Sequence, residues 1–519
     1  MPGLVGLSVQ IAWSNAPVGS EHPTPAWQGR DGVDRLSHRP TISPVDAATF
    51  ARFDPTSWIV GAVPASNARR IRECRAIALE KPGVHGKVRP MMKSKVAIVR
   101  TSPATVLEDY HRVMNLADYQ ETVAKDADTA LKINISWHFF FPGSSTTPWQ
   151  LEGVIRAMKQ DGYDPDLIHG CHNRTVVIDA HLGERENKQI DVIRSHTLRN
   201  VHLYEGEEWI DIRDAVGDLT KDFLCLNDVY PRGFSIPKRF IGENIVHLPT
   251  IKTHIFTTTT GAMKNAFGGL LNEHRHWTHP VIHETLVDLL MIQKKIHRGV
   301  FAVMDGTFAG DGPGPRCMIP HVKNVLLASS DQVAIDAVAA KLMGFNPMKD
   351  IKFVRLSHEK GLGVGDPRDI EIVGDVDAAK ENWQFEGPFK NMTFASRNQH
   401  RIYWGPLKKP VEWSLKTWLA PWAYVASVAY HDMFWYPRFG TGRVNEALTS
   451  DWGRLFANWG RVQPDPEGRG FPDVGEEKPE LVKAGIAHFA EGMRLVGMAV
   501  AESPEVKTRQ RRRHVNVHR

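Results

Sequence analysis

Residues 248–279, LPTIKTHIFTTTTGAMKNAFGGLLNEHRHWTH, hold the densest set of groups able to do chemistry. Lys252 and His254 come where an apolar run, and the strand it suggests, would end. Thr257 to Thr260 then lead through Gly261 into a helical segment with Lys264 and Asn265. Open α/β sheets bind ligands at the carboxyl ends of their strands. A helix start beside hydroxyls and lysines suits an anion. Lys252 and Lys264 would neutralise that anion, Thr257, Thr260 and Asn265 would bind it, and His254 would transfer a proton. The order GxxxxGK[ST] is absent, so this is not a Walker A loop. The plainer account is a helix capped by Thr257 with solvated lysines, and the residues alone leave both open.

A second constellation is MDGTFAGDGPGPRC, residues 304–317. Asp305 ends an apolar run, and Asp311 lies between two glycines. Two carboxylates there could act as catalytic groups or hold a divalent ion, although Asp and Gly are also ordinary turn residues. Third, His274, His276, His279 and His283 fall within ten residues. His279 and His283 have the i, i+4 spacing of shared metal ligands, but no HExxH is present. Cys171 and His172, after Gly170, form a weaker pair that reads as a buried thiol rather than a nucleophile. GLGVGD at 361–366 follows a helical stretch rather than a strand, so it is not a dinucleotide fingerprint.

These groups need a scaffold. Apolar runs at 95–99, 131–136, 175–178, 201–204, 223–226, 244–248, 300–305 and 322–328 predict strands. Helical patterns fall between them at 104–117, 148–160, 281–297 and 331–343. The alternation predicts an α/β fold, a doubly wound, mostly parallel sheet. Residues 1–90 read as an irregular, proline-rich arm, 91–375 as the α/β core, 376–463 as an aromatic-rich helical extension, and 464–519 as linker, helix and basic tail. Met91 and Met92 stand just before the first strand, where translation could also start. Seven tryptophans between Trp404 and Trp459 suit packing over the sheet, a partner interface or a membrane surface.

Taken in order, KVAIVR (95–100), LKINIS (131–136), the 248–269 block, VMDGTFAGDGPGP (303–315), SSDQVAIDAVAAKLMGF (329–345) and GLGVGD resemble the bacterial and archaeal family filed as domain of unknown function 362. The resemblance covers about residues 95–375. It implies that Lys132, Asn134, Lys252, His254, Lys264, Asn265, Asp305, Asp311 and Asp336 are family motif positions. Some relatives carry ferredoxin-like cysteine motifs. Here Cys74, Cys171, Cys225 and Cys317 are scattered, so an iron–sulfur cluster is not expected.

Composition excludes a disordered chain, a collagen and a coiled-coil rod: 42% of residues are hydrophobic and 24% charged. Six cations against Glu505 in the last fifteen residues account for the whole formal charge of +5. The folded body is therefore neutral, and no specific nucleic-acid partner is expected. The N-terminus lacks the basic and apolar segments of a signal peptide, and no apolar run reaches a membrane span. The expectation is a cytoplasmic enzyme for a small anionic substrate or cofactor bearing phosphate or carboxylate. Redox and metal-assisted chemistry are both open, with a divalent metal at Asp305, Asp311, His279 or His283. The alternative is a non-catalytic assembly protein docking through its Trp-rich region on a partner or membrane surface.

Overall fold

The computed structural model describes residues 94–501, apart from 273, 407, 476–479 and 484–485. The expected N-terminal arm and basic tail, with Cys74, lie outside the described residues. Twelve strands are seen among the described residues: β1 Ser94–Arg100, β2 Thr129–Ile133, β3 Ile168–His172, β4 Arg199–His202, β5 Trp209–Asp211, β6 Ser235–Pro237, β7 Asn244–Leu248, β8 Thr250–His254, β9 Thr258–Thr259, β10 Val300–Asp311, β11 Ile319–Ser329 and β12 Ile370–Gly374. The main sheet runs β12-β1-β11-β10-β7-β2-β3-β4, with β8 branching from β10 and β9 folding back on β8. Pairing is parallel except around β11 and between β8 and β9. β5 and β6 form a separate ribbon.

Period-two alternation sends neighbouring strand residues to opposite faces. Val96 and Ile98 enter one buried cluster with helices Ile282–Ile296 and Gln332–Met343; Ala97 and Val99 enter another with Val106–Leu116 and Pro148–Gln160. This is the doubly wound arrangement. The helix Pro148–Gln160 matches the sequence pattern at both ends. Pro148 opens it, and the Thr147 hydroxyl accepts from the Gln150 N–H.

Four expectations need correction. Residues 175–178 form only an isolated bridge, and residues 223–226 lead into a short helix. β8 was hidden inside the motif block, because TIKTH alternates too weakly to separate from β7. β10 does not end at Asp305 but runs on to Asp311, paired with β11.

The aromatic extension is helical, with Phe394–Trp404, Lys408–Leu415, Ala420–Val428 and further turns to Ala457. Trp435, Trp452, Tyr424 and Tyr436 are buried, whereas Trp413, Trp418 and Trp422 are 66%, 61% and 69% exposed. The tryptophans thus divide between internal packing and surface. Among the described residues no helix is long and apolar enough to cross a membrane.

Candidate functional site

β2 and β8 end on one side of the sheet, and their last residues open into a cavity of about 540 Å³. Lys132, Asn134, Lys252, His254, Thr260, Lys264 and Asn265 all line it. Arg174, Arg275, Arg316, His276, His279 and His431 join them, and no described Asp or Glu is in the lining. The extension supplies the opposite wall, including Phe394, Tyr403, Tyr424 and Tyr430. Cationic groups of the core thus face an aromatic cover contributed by a later part of the chain.

Lys252 is 2% exposed, and its Nζ donates to Ser144 O at 2.6 Å and Thr250 Oγ1 at 2.8 Å. Burial, reinforced by Lys264, holds its pKa well below that of an ordinary lysine. Lys132 donates to Ile133 O at 2.9 Å; burial lowers it to about 8. Lys264 lies 5.5 Å from the Phe267 ring centroid, and burial, with Arg275 adding, lowers it to about 8. Lys264 beside Lys252, and Arg275 beside Lys132 and Lys264, add to the lowering that burial causes. Arg316 donates to Ser427 Oγ at 3.0 Å, while its buried Nη1 has no partner. Asp432 pulls against the desolvation of Arg316 without lining the cavity, and burial pushes that carboxyl up to about 7.

His254 accepts the Phe256 N–H at Nδ1, 3.1 Å away, which leaves the proton of a neutral ring on Nε2. Burial, then Lys264, holds its pKa well below that of an ordinary histidine. A neutral imidazole N–H donates to a developing negative charge rather than extracting a proton from it. Asn265 donates to Lys132 O at 2.8 Å and so ties the short helix Ala262–Asn265 to the end of β2. Asn134 donates to Ser144 O at 3.2 Å.

The start of that helix is not the anion site expected from its threonines. Asp336 occupies it, accepting from Ala262 N at 2.6 Å and Met263 N at 3.1 Å. Gly261 permits this, since φ is +112° and a Cβ there would fall 2.1 Å from Asp336 Oδ1. Asp336, not Thr257, is the cap. Thr257 is buried outside the lining, its hydroxyl donating to Thr259 O at 2.7 Å.

Asp305 and Asp311 also stand apart from the cavity. Asp305 is fully buried on the face of Trp149 and accepts five bonds: from Tyr110 (2.7 Å), Thr147 (2.8 Å), Trp149 (3.0 Å), and the Thr307 N–H and hydroxyl (2.8 and 2.7 Å). Asp311 accepts from Glu386 N at 2.9 Å and Gly387 N at 3.0 Å, anchoring the start of the extension. His279 lines the cavity and contacts the Tyr403 hydroxyl at 3.2 Å, but His283 stacks on Phe353 outside it. The expected metal set is therefore split over separate places.

Residues 129–341 match the model of a family described as a domain of unknown function (DUF362). The chain resembles the DUF362 family over this segment. It holds every Lys and Arg of the cavity, whereas the aromatic cover lies beyond it. A thylakoid-associated protein of Synechocystis is 27% identical over 106 residues, 20% of this chain. The chain spans about a third (33%) of that relative's length. A crystal structure of a Thermotoga maritima protein aligns with 50% of this chain and 60% of its own, at 11% identity and a TM-score of 0.29.

Of the residues singled out in the sequence, Lys252, His254, Lys264 and Asn265 line the cavity, and Arg174, Arg275 and Arg316, not singled out there, line it with them. Arg275 and Arg316 lie inside the two motif blocks already singled out, EHRH and GPGPRC. Their signal was the cation after a strand or turn, masked by nearby aspartates and histidines.

Proposed function

We propose that the protein is an enzyme that binds a small molecule bearing phosphate or carboxylate in this cavity. The observation that carries the reading is the convergence of Lys132, Lys252, Lys264, Arg275 and Arg316 with no described carboxylate in the lining. Unpaired buried cations are costly, and an anionic ligand would offset that cost. The volume of about 540 Å³ fits a ligand larger than phosphate alone. The tyrosines and Phe394 suit an apolar or aromatic portion of it.

In this reading Lys132, Lys264 and Arg316 hold the anionic end. His254 donates its Nε2 proton to charge developing on the reacting group. Lys252 joins those three cations when protonated, and its lowered pKa also gives it access to a neutral amine able to act as base or nucleophile. The buried thiols of Cys171, Cys225 and Cys317 favour a reducing, cytoplasmic setting. Thermal-shift titration with phosphate, pyrophosphate and nucleotides tests the binding claim. A saturable rise in melting temperature is expected, and its absence across the panel, with none for di- and tricarboxylates either, would overturn the reading.

The exposed Trp413, Trp418 and Trp422, beside Lys408, Lys409 and Lys416, favour a second reading, attachment to an anionic membrane surface. Co-sedimentation with vesicles of acidic lipid tests it.

A further inference from the structure

We propose that His181, His202 and Glu205 bind one divalent transition-metal ion of the zinc class, with Glu184 and His172 ordering the site. One donor atom from each of His181, His202 and Glu205 lies within 4.8 Å of the others. The fold brings them together for a simple reason. β3 and β4 run parallel and end in register, His172 beside His202. The helix Ala180–Glu186 then places His181 and Glu184 about one turn apart over those strand ends, and Glu205 follows in the turn after β4.

The contacts form a connected set. His181 Nε2 is 2.9 Å from Glu205 Oε2, and His202 Nε2 is 3.3 Å from Glu184 Oε2. The His181 and His202 rings stack with centroids 3.9 Å apart, and those of His202 and His172 at 5.0 Å. Glu184 is also bonded by Asn200 Nδ2 at 2.8 Å, which fixes its carboxylate.

A second observation sets this cluster apart from a surface ion pair. His172 is fully buried, its Nε2 is 3.4 Å from Glu184 Oε2, and neither ring nitrogen has a hydrogen-bond partner. The buried Nδ1 of His202 is unpartnered as well. Unsatisfied buried nitrogens cost desolvation, and an ion bound by His202 would give that ring's open nitrogen a partner. Imidazole with one carboxylate selects a zinc-like ion over calcium or magnesium. A carboxylate behind a ligating histidine orients the ring and raises its basicity. With His181 and Glu205 exposed, a coordination position stays open to water.

Asn173 and Tyr204 follow His172 and His202 and line the anion cavity, so the ion would tie down that wall. The metal proposal does not rest on the anion reading. The test uses full-length protein treated with chelator, dialysed and titrated with Co²⁺, read by visible absorption, and with Zn²⁺, read by calorimetry. One saturable site is expected, lost in His181→Ala/Glu205→Gln, whose exposed positions leave the core intact. Glu184→Gln should weaken it roughly ten- to a hundredfold, and His514→Ala/His518→Ala in the tail should leave it unchanged. No saturable site in the wild type, or an unchanged cobalt spectrum in His181→Ala/Glu205→Gln, would overturn the proposal. Pyrophosphate titration of the chelated protein reads the anion cavity separately.

Discussion

Asp305 and Lys252 lie on adjacent strands, β10 and β8, and both are withdrawn from water. Their surroundings differ. Five donors meet the Asp305 carboxylate, each inside the protein. Lys252 has two neutral acceptors, further cations around it, and a cavity in front. A saturated buried charge is architecture, whereas a buried charge left electrostatically unbalanced beside empty space points to a ligand. Residue type could not separate the two, because both are charged residues in motif-rich strands.

The largest expected effect tests the saturated half. Asp305→Asn places an NH₂ against either the Trp149 indole N–H or the Thr307 backbone N–H, neither of which can accept. It should cost about 3–5 kcal/mol, the range for breaking a buried charged network, read as a collapse in chemical denaturation midpoint. Anion affinity of the folded fraction should be unchanged. Lower affinity with intact stability would remove the distinction drawn here.

Lys252→Met should behave oppositely. It removes a desolvated cation, so the protein without ligand should hold or gain stability, by up to about 1–2 kcal/mol. A loss comparable to that of Asp305→Asn would mark Lys252 as structural.

The next effect is one of pH. Lys132 and Lys264 have folded pKa values of about 8, below the ordinary lysine value of 10.5. Between those values the unfolded chain binds more protons, so these groups make ligand-free stability rise with pH. A bound anion favours the charged amines, so its affinity should fall over the same window. Melting temperatures with and without pyrophosphate from pH 7 to 10 would therefore converge. Parallel curves would show that the lysines do not hold the anion.

The smallest effect concerns the exposed surface. Trp418→Ala/Trp422→Ala should change stability by no more than about 0.5 kcal/mol. Binding to anionic vesicles should drop if the extension touches membranes, and unchanged co-sedimentation would dismiss that second reading.

Much of this was legible beforehand. Most of the buried parallel strands announce themselves as apolar runs, and Pro148 falls at the first turn of its helix as its type suggests. The Lys252, His254, Lys264 and Asn265 group was also readable, because strand ends in such sheets face one edge. What a sequence hides is side-chain partnership. Asp336 reaches the 262–265 helix from 74 residues away, and β10 passes Asp305 only because β11 returns alongside it. Nor could local pattern show that the extension covers the cavity, or that register sets His202 beside His172. Those relations arise from tertiary contacts between distant segments.

The most direct measurement is calorimetric titration of pyrophosphate into wild type and Lys252→Met/Lys264→Met, in two buffers of different ionisation enthalpy. The prediction is saturable wild-type binding with proton uptake above pH 8, weakened at least tenfold in the folded double variant, on the scale of about 1.5–3 kcal/mol per charged hydrogen bond. Equal affinity in both proteins, without proton uptake, would contradict an anion site built on these lysines.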